Sequence, residues 1–247
     1  MTQPFDELAE VYEAMVDWPK RLAYEGPFYR GLFDRVAARR VVDTACGGGD
    51  HAAMFHSWEL DVEGADISPR MIDQARRQFG EPPGLRWTVR GFDQPMDASE
   101  PFDVAICVGN SLALAGDRDV VRRAIGAMLA AVRPGGAVVL GVANLWRLDD
   151  GPCHWQKCVR RRLSRGETLI LKGMHRAGDR GFVDLVLLDP EGGLIRSDST
   201  PLLGLRRETL EEMVTAAGGA RIEVFGGYRG EPYDENTSVD LLVVARE

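Results

Sequence analysis

The stretch from Val41 to Asp50 has the residue types of a nucleotide-like ligand site. It reads V-V-D-T-A-C-G-G-G-D, in which two β-branched residues and an acidic residue lead into a run of three glycines. This order predicts a strand, a tight turn and then a helix from about residue 51. Gly47 and Gly49 lack a Cβ, so the backbone can turn sharply and approach a ligand closely. The amides at the start of the helix would face that ligand.

The residues around this turn decide which ligand it suits. Gly47, Gly49 and Ala52 match the dinucleotide pattern G-x-G-x-x-A. Asp66 follows at a distance that suits a carboxylate holding a ribose. These matches alone fit NAD and S-adenosylmethionine equally well. Asp43 favours S-adenosylmethionine, because a carboxylate at the strand end attracts the ammonium of a methionine and repels a pyrophosphate. An Asp43 that serves only the turn and the helix cap is the alternative.

The elements that must position these residues alternate between strands and helices. Apolar runs predict five strands with short connections, at residues 40–45, 62–66, 86–89, 104–108 and 137–142. Ser68 and Asp117 are predicted N-caps of intervening helices, and Gly80 is a predicted helix end. This alternation is typical of an α/β fold with a doubly wound, mostly parallel sheet.

The N-terminal segment, residues 1–38, is predicted to be helical and is rich in aromatic residues. Pro19 and Pro27 are expected to separate its helices. We predict that the segment forms a lid over the cofactor, with Tyr12 or Trp18 facing a cation. Helices that simply cover one edge of the sheet are the alternative.

The pattern changes after strand five. Three strands, at about 167–174, 182–189 and 194–199, are separated by the turns G-D-R-G and P-E-G-G. They predict an antiparallel insert at about 146–203, over the strand ends. A helix and a closing strand pair follow. We therefore expect one domain, 1–247, with a helical lid and an antiparallel insert.

Composition and charge narrow the class of protein. The chain has 247 residues, 45% of them hydrophobic, and a formal net charge of −8. An acidic chain lacks the positive field that binds phosphate backbones, so no nucleic-acid partner is expected. Four cysteines without regular spacing predict free thiols in a reducing compartment. The N-terminus has no signal-peptide pattern and no apolar run reaches membrane-spanning length, so a cytoplasmic protein without a membrane partner is expected. A homo-oligomer is left open.

Together these motifs resemble the class I S-adenosylmethionine-dependent methyltransferases, from about residue 40 to the C-terminus. The family's first motif, acidic-x-Gly-x-Gly-x-Gly, corresponds to Asp43, Ala45, Gly47 and Gly49. The family's acidic residue at the end of strand two, which holds both ribose hydroxyls, corresponds to Asp66. The strand-four segment F-D-V-A-I-C-V-G-N-S-L-A-L and the turn R-P-G-G also agree with the family.

Within this family, the segment 109–114 is similar to the G-N-S-F-A-H segment of glycine N-methyltransferase and its relatives, which also carry an antiparallel insert after strand five. Three positions differ. The family's His is Leu114 here, and the Arg that holds the glycine carboxylate corresponds to Ala143. The acidic residue that meets the adenine corresponds to Gly91, unless Asp93 replaces it. These differences argue against glycine itself as the acceptor.

The resemblance implies S-adenosylmethionine as cofactor and methyl transfer to a small molecule by in-line displacement. An amine acceptor must arrive neutral but needs no strong base, whereas an oxygen acceptor would need one, so nitrogen is favoured. Asn110, at the end of strand four, is the expected catalytic-site residue that orients the acceptor; a loop-fixing role is the alternative. Phe92 would pack on adenine or lie in the core. The expected cofactor-binding residues are Asp43, Ala45, Cys46, Gly47, Gly49, Asp66, Ile67, Met71, Phe92, Asp93, Cys107 and Tyr12.

Other interpretations of the sequence remain open. A nicotinamide-dependent oxidoreductase is one, although no tyrosine here is followed four residues later by lysine, as the short-chain dehydrogenase pair requires. A module that binds S-adenosylmethionine without catalysis is another. Cys153, His154 and Cys158 have metal-ligand side chains, but no second cysteine pair completes a zinc set, so no metal site is expected. The run 160–162 of arginines is interpreted as surface, or as a contact for an acidic substrate.

Overall fold

The computed structural model describes residues 10–11, 14–96 and 100–246. Its main element is a seven-stranded sheet in the order β10-β11-β5-β4-β1-β2-β3. The strands of this sheet are β1 (Arg40–Asp43), β2 (Asp61–Asp66), β3 (Leu85–Val89), β4 (Phe102–Cys107), β5 (Val132–Ala143), β10 (Arg221–Phe225) and β11 (Asp240–Arg246). Strands β1 to β5 pair in parallel, and β11 is antiparallel to both its neighbours. The predicted doubly wound, mostly parallel sheet is therefore confirmed.

Helices cover both faces of this sheet, because successive strand residues point to opposite sides. The helices are α1 (Trp18–Val36), α2 (Asp50–His56), α3 (Pro69–Phe79), α4 (Arg118–Ala131) and α5 (Arg207–Ala216). Val41 and Ile106 pack with α1, α2 and α3 on one face. Their neighbours Val42 and Cys107 pack with α4 and α5 on the other. The carboxyl ends of the parallel strands are left for the site.

A second sheet, which we call the insert sheet, lies between β5 and α5 in the chain. It is an antiparallel meander of four strands in sequence order: β6 (His154–Leu163), β7 (Gly166–Ala177), β8 (Arg180–Leu188) and β9 (Leu194–Leu203). The sequence predicted only the last three. Strand β6 was missed because most of its side chains are exposed and four of its ten residues are lysine or arginine, so it lacks the alternating apolar residues that mark a half-buried strand.

Two other expectations about the elements were wrong. Pro27 lies inside α1 and does not end it. An interior proline costs a helix about 3 kcal/mol, and the burial of Tyr29, Leu32 and Phe33 offsets that cost at roughly 2 kcal/mol per side chain. In addition, the described residues between β3 and β4 contain turns and no helix, so the alternation of strands and helices is interrupted there.

The N-terminal segment packs on the insert sheet. Val11 and Met15 form a small apolar cluster with side chains of β7 and β8. Lys157 and Arg161 of β6 donate hydrogen bonds to backbone carbonyls of residues 15 and 14, at 2.9 and 2.8 Å. Tyr12, a predicted cofactor contact, lies outside the described residues.

None of the helices in the described part of the chain combines the length and hydropathy required to cross a membrane.

Candidate functional site

A cavity of about 290 Å³ opens at the carboxyl ends of β1 to β4. This is where open parallel sheets bind their ligands, because the turns after the strands converge there. We call it the first cavity. Its wall contains Trp18, Arg21, Thr44, Ala45, Cys46, Gly47, His51, Asp66, Ile67, Met71, Gly91, Phe92, Asp93, Val108, Gly109, Ser111, Leu114, Ala115, Gly116 and Val120. Eight of the expected cofactor-binding residues are in this set.

The two glycines of the turn have different roles. Gly47 has φ +53° and lies on the cavity wall, and a Cβ built there meets nothing within 4 Å. A side chain at this position would therefore project into open space at a strained backbone angle. Gly49 has φ +93°, and its Cβ would lie 2.5 Å from the ring of Trp87. Gly49 is thus required for packing of the turn against β3, and Gly47 lines the wall.

Asp66 lies at the end of β2 and lines the first cavity. Its Oδ2 accepts a hydrogen bond from the backbone N–H of Gly47 at 2.9 Å, and its Oδ1 accepts one from Ser68 at 2.9 Å. Asp66 therefore fixes the glycine turn to the start of α3, with its carboxylate at the cavity wall.

Asp43 is placed differently from its expected position. Its side chain is only 1% exposed, lies beneath the wall formed by residues 44–47, and accepts a 3.3 Å hydrogen bond from the N–H of Ala45. Burial raises its pKa to about 6, and the charge of nearby His51 opposes that increase. Because the carboxylate folds back on its own turn, it stabilises the wall from behind. The direct contact with a ligand ammonium that the sequence predicts does not agree with this position.

An apolar part of the wall follows β2 and β3. Ile67 is 52% exposed at the cavity, although an isoleucine would ordinarily be buried. Met71 of α3 and Phe92 lie on the same wall. Asp93 is there too, and its carboxylate is ion-paired with Arg123 at 2.9 Å. These side chains form an apolar surface with one acidic residue beside it.

Cys107 is the clearest correction among the predicted contacts. It is fully buried in the core on the side of α4, and burial raises the pKa of its thiol to about 12. Residues alternate along a strand, so the neighbouring Val108 has the cavity position. Cys46 and Ala45 lie on the wall as expected.

The sequence did not identify the cationic part of the first cavity. Arg21 of α1 and His51 of α2 line the wall and converge on Glu25, whose two oxygens lie 2.7 Å from Arg21 Nε and His51 Nε2. Burial alone would raise the pKa of Glu25, but the hydrogen bonds from His51 and Arg21 hold it below its usual value. One sign of this part of the cavity was present in the sequence: residues 18, 21 and 25 have the spacing of neighbours on one face of a helix.

A second cavity, of about 770 Å³, adjoins the first and shares Arg21 and Gly109 with it. It lies between the ends of β4, β5 and β11 and the insert sheet. Asn110 lines it and has φ +75°. The side-chain oxygen of Asn110 accepts a 2.5 Å hydrogen bond from the N–H of Ala143, which ties the loop after β4 to β5. Within the described residues, no hydrogen bond engages the side-chain nitrogen of Asn110.

Asp240, the first residue of β11, is an acidic group of the second cavity that the sequence analysis missed. It pairs in register with Ala143, so it and Asn110 flank the end of β5. Burial raises its pKa to about 6, and nearby Glu25 also raises it. In the described part of the chain, its carboxylate has no hydrogen-bonding or ion-pairing partner. Its sequence position, at the start of a buried strand, gave no sign of this role.

Two lysines of the insert sheet line the same cavity as Asp240. Lys157 and Lys172 are directly opposite each other on β6 and β7, and both line the second cavity. Burial lowers the pKa of both side chains, and for Lys172 the charge of Lys157 lowers it further. Among the described residues, no carboxylate forms an ion pair with either. Like charges placed opposite each other in a sheet are destabilising, so this arrangement is costly to the fold.

Comparison with known proteins shows that the chain is similar to methyltransferases. A family described as "Methyltransferase domain" matches residues 41–136. The chain is 27% identical to the glycine/sarcosine N-methyltransferase of Parasynechococcus marenigrum over 230 residues, which cover 91% of this chain and 78% of the relative. It is 30% identical to the glycine N-methyltransferase of Rattus norvegicus over 152 residues, but these cover only 56% of this chain and 52% of that enzyme.

Solved structures agree on the fold. The CcbJ methyltransferase from Streptomyces caelestis superposes with a TM-score of 0.78 at 20% identity, covering 99% of this chain and 98% of that chain. CalS10 from Micromonospora echinaspora, an amino pentose methyltransferase solved with S-adenosylmethionine bound, has a TM-score of 0.69 at 24% identity, with 96% and 97% covered.

Proposed function

We propose that this chain, which resembles the class I S-adenosylmethionine-dependent methyltransferases and their glycine N-methyltransferase-like subgroup, methylates the nitrogen of a small-molecule amine. Its cofactor, S-adenosylmethionine, supplies a methyl group activated by a sulfonium. The observation that carries the nitrogen proposal is the carboxylate of Asp240 in the second cavity, which has no hydrogen-bonding or ion-pairing partner among the described residues.

The donor set of the first cavity fits the cofactor. The carboxylate of Asp66 at the cavity wall suits a pair of ribose hydroxyls, and the wall formed by Ile67 and Phe92 suits an adenine. Arg21 and His51 suit the carboxylate of the methionine part. We propose these residues as the main binding groups, together with Gly47, Met71 and Asp93. Asp43 and Gly49 are proposed to act through the turn that they support.

The second cavity is proposed to hold the acceptor. An amine enters at neutral pH mainly as an ammonium, which a carboxylate attracts and whose proton it can accept. Asp240, with a pKa of about 6, is largely ionised at neutral pH. It is therefore suited to pair with the ammonium and to take up its proton, leaving the nitrogen lone pair available.

Asn110 is proposed to position the acceptor nitrogen or a polar group next to it. Its oxygen is already held by Ala143, which fixes the plane of the amide, and its nitrogen is available as a donor. The hydrogen bond to Ala143 also supports the loop-fixing role considered from the sequence. Both roles are compatible, because holding the oxygen is what orients the nitrogen.

The lysine pair favours an acceptor that carries an anionic group. Lys157 and Lys172 form a cationic surface in the same cavity that contains Asp240. A molecule with an amine and a carboxylate or phosphate group would neutralise both surfaces at once. The Arg of the subgroup that corresponds to Ala143 is absent, so the lysines would supply the cationic contact from a different element.

The test is a screen of amines in matched pairs, each amine being compared with its hydroxyl analogue and with its neutral ester or amide. Formation of S-adenosylhomocysteine and of the methylated product is measured by mass spectrometry. We expect turnover of amines that carry an anionic group, and loss of turnover in Asp240→Asn with cofactor affinity preserved. Turnover of the hydroxyl analogues alone would overturn the nitrogen proposal. Cofactor binding with no turnover of any pair would favour the non-catalytic module.

A further inference from the structure

Three metal-ligating side chains meet on the insert sheet, away from both cavities. They are Cys153, immediately before β6, His175 of β7 and Asp184 of β8, and each offers one ligand atom within 4.8 Å of the other two. None of them lines the first or the second cavity. We propose that this cluster binds a divalent transition-metal ion of the zinc type. The proposal is independent of the methyl acceptor.

The geometry is close to that of a tetrahedral site. The sulfur of Cys153 lies 3.4 Å from Oδ2 of Asp184. In a tetrahedral zinc site, a thiolate at about 2.3 Å and a carboxylate oxygen at about 2.0 Å from the ion are separated by roughly 3.5 Å. His175 Nδ1 lies 2.5 Å from the same oxygen. This contact would open by less than ~1 Å to admit an ion. One thiolate, one imidazole and one carboxylate leave a fourth position for water.

Each ligand is oriented by a residue that is not itself a ligand. Gly173 makes room for the sulfur, since a Cβ there would lie 2.5 Å from the Cys153 Sγ. The ring of His175 stacks on Phe182, with centroids 4.7 Å apart and planes 9° from parallel. The second oxygen of Asp184 accepts a 2.7 Å hydrogen bond from the hydroxyl of Ser199. Metal sites typically have such a second layer of contacts, which holds the ligands in place.

The arrangement does not suit nucleophilic catalysis. In a thiol triad the histidine lies between the cysteine and the acid. Here the carboxylate of Asp184 lies between Cys153 and His175 and contacts both. His175 is therefore not placed to accept the thiol proton. A metal ion would take the place of the two protons that now link the carboxylate to the thiol and the imidazole, and all three groups would bind it.

A bound ion would connect three consecutive segments of the insert sheet. Cys153 precedes β6, and β6, β7 and β8 are neighbours in the sheet. The opposite face of this sheet packs against Val11 and Met15 through Ile170 and Leu185. Because a metal stabilises the state that presents its ligands together, the ion would stabilise the insert sheet and the N-terminal segment packed on it.

The experiment uses the full chain after chelator treatment and dialysis. Co²⁺ is titrated, and the thiolate-to-cobalt charge-transfer band and the visible bands of a tetrahedral ion are recorded. Zn²⁺ is then added to displace the cobalt, and the zinc content is measured by mass spectrometry. We expect one ion per chain and a higher Tm with Zn²⁺.

Cys153→Ser should abolish the charge-transfer band, and His175→Gln or Asp184→Asn should weaken binding at least ~100-fold. Ser199→Ala should weaken it about 10-fold.

Cys158→Ser and His154→Gln are the matched controls, because both residues lie on β6 and belong to the ligand types noted in the sequence but not to this cluster. Both should bind the ions as the wild type does. The proposal is overturned if the dialysed wild type binds no Co²⁺ or Zn²⁺. It is also overturned if Cys153→Ser keeps the charge-transfer band, or if Cys158→Ser loses it. Affinity for S-adenosylmethionine, measured in parallel, should be unchanged in every variant.

Discussion

The two cavities share a wall but are constructed differently. The first cavity is formed mainly by turns that directly follow parallel strands, and its contacts are backbone amides, Asp66, an apolar surface and the cationic pair Arg21 and His51. The second cavity is formed between elements far apart in the chain, from α1 to β11, and contains partly buried charges without partners in the described residues. The first is thus stabilised by its own contacts, whereas the second retains unpaired charges that only a ligand would neutralise.

Because of this difference, substitutions in the two cavities should have different effects. Changes in the first cavity should lower cofactor affinity and also disturb the local turns. Changes in the second should affect the acceptor while leaving the fold unchanged or more stable, because a buried charge without a partner costs stability.

The largest effect is expected for Asp66→Ala. This variant removes the carboxylate proposed to bind the ribose, together with its bonds to the N–H groups of Gly47 and Ser68. Hydrogen bonds to a charged group contribute about 1.5–3 kcal/mol each, so the Kd for S-adenosylmethionine should rise at least ~100-fold. Isothermal titration calorimetry measures it. Asp61→Asn, at the other end of β2 in a surface ion pair with Arg40, is the control and should bind normally.

Asn110→Gly is expected to have the next largest effect. Glycine tolerates the φ of +75°, so the variant removes the side chain without straining the backbone. If Asn110 orients the acceptor, kcat should fall about 100-fold, with the Kd of the cofactor within a few-fold of the wild type. A normal kcat would leave Asn110 with only its loop contact to Ala143.

Asp240→Asn tests the acidic group of the second cavity through pH. The folded pKa of Asp240, about 6, lies above its usual value, so the unfolded chain ionises first as pH rises. The free energy of unfolding of the wild type should therefore fall, relative to that of the variant, as the pH rises from about 4 to 6. Methyl transfer by the wild type should fall as pH drops below about 6, and the variant should lose about 10-fold in rate at pH 7.

Asp73→Asn, on the exposed face of α3, is the control for this comparison. Its denaturation curves and rate profiles across pH should follow those of the wild type. A parallel pH dependence of stability in the wild type and in Asp240→Asn would show that Asp240 is not the group responsible.

Lys172→Met is expected to have the smallest effect, and in the opposite direction. Removing one of two opposed lysines relieves the repulsion between β6 and β7, so the free energy of unfolding should rise by about 1 kcal/mol. Chemical denaturation measures it. The KM for an anionic acceptor should rise at the same time. Arg162→Met, an exposed residue of β6, should change neither quantity. A less stable Lys172→Met would mean that the lysine supports the fold.

The sequence predicted the first cavity far better than the second, for a physical reason. Its parts lie within a few residues of strand ends, and glycine turns and strand-end carboxylates are local signals, as at Gly47 and Asp66. The errors arose where a side-chain direction decided the outcome. Cys107 has the expected residue type at the expected position, but strand alternation turns it into the core. Asp43 folds back onto its own turn.

The second cavity depends on long-range pairing that no local pattern contains. Asp240 becomes part of the site only because β11 inserts beside β5. Lys172 faces the cavity only because the insert sheet folds over the strand ends, and β6 itself gave no strand pattern. The same holds for Cys153, His175 and Asp184, which are up to 31 residues apart and converge only through sheet register.

Gly109 belongs to the walls of both cavities and has no side chain to separate them. A single synthetic molecule in which an adenosyl unit is joined by a short chain to an anionic amine would pass over this residue and occupy both spaces together. Its two halves would contact largely different residues, so its binding energy would combine contributions that each natural ligand makes separately. Such a compound offers a direct route to a tight inhibitor of this enzyme.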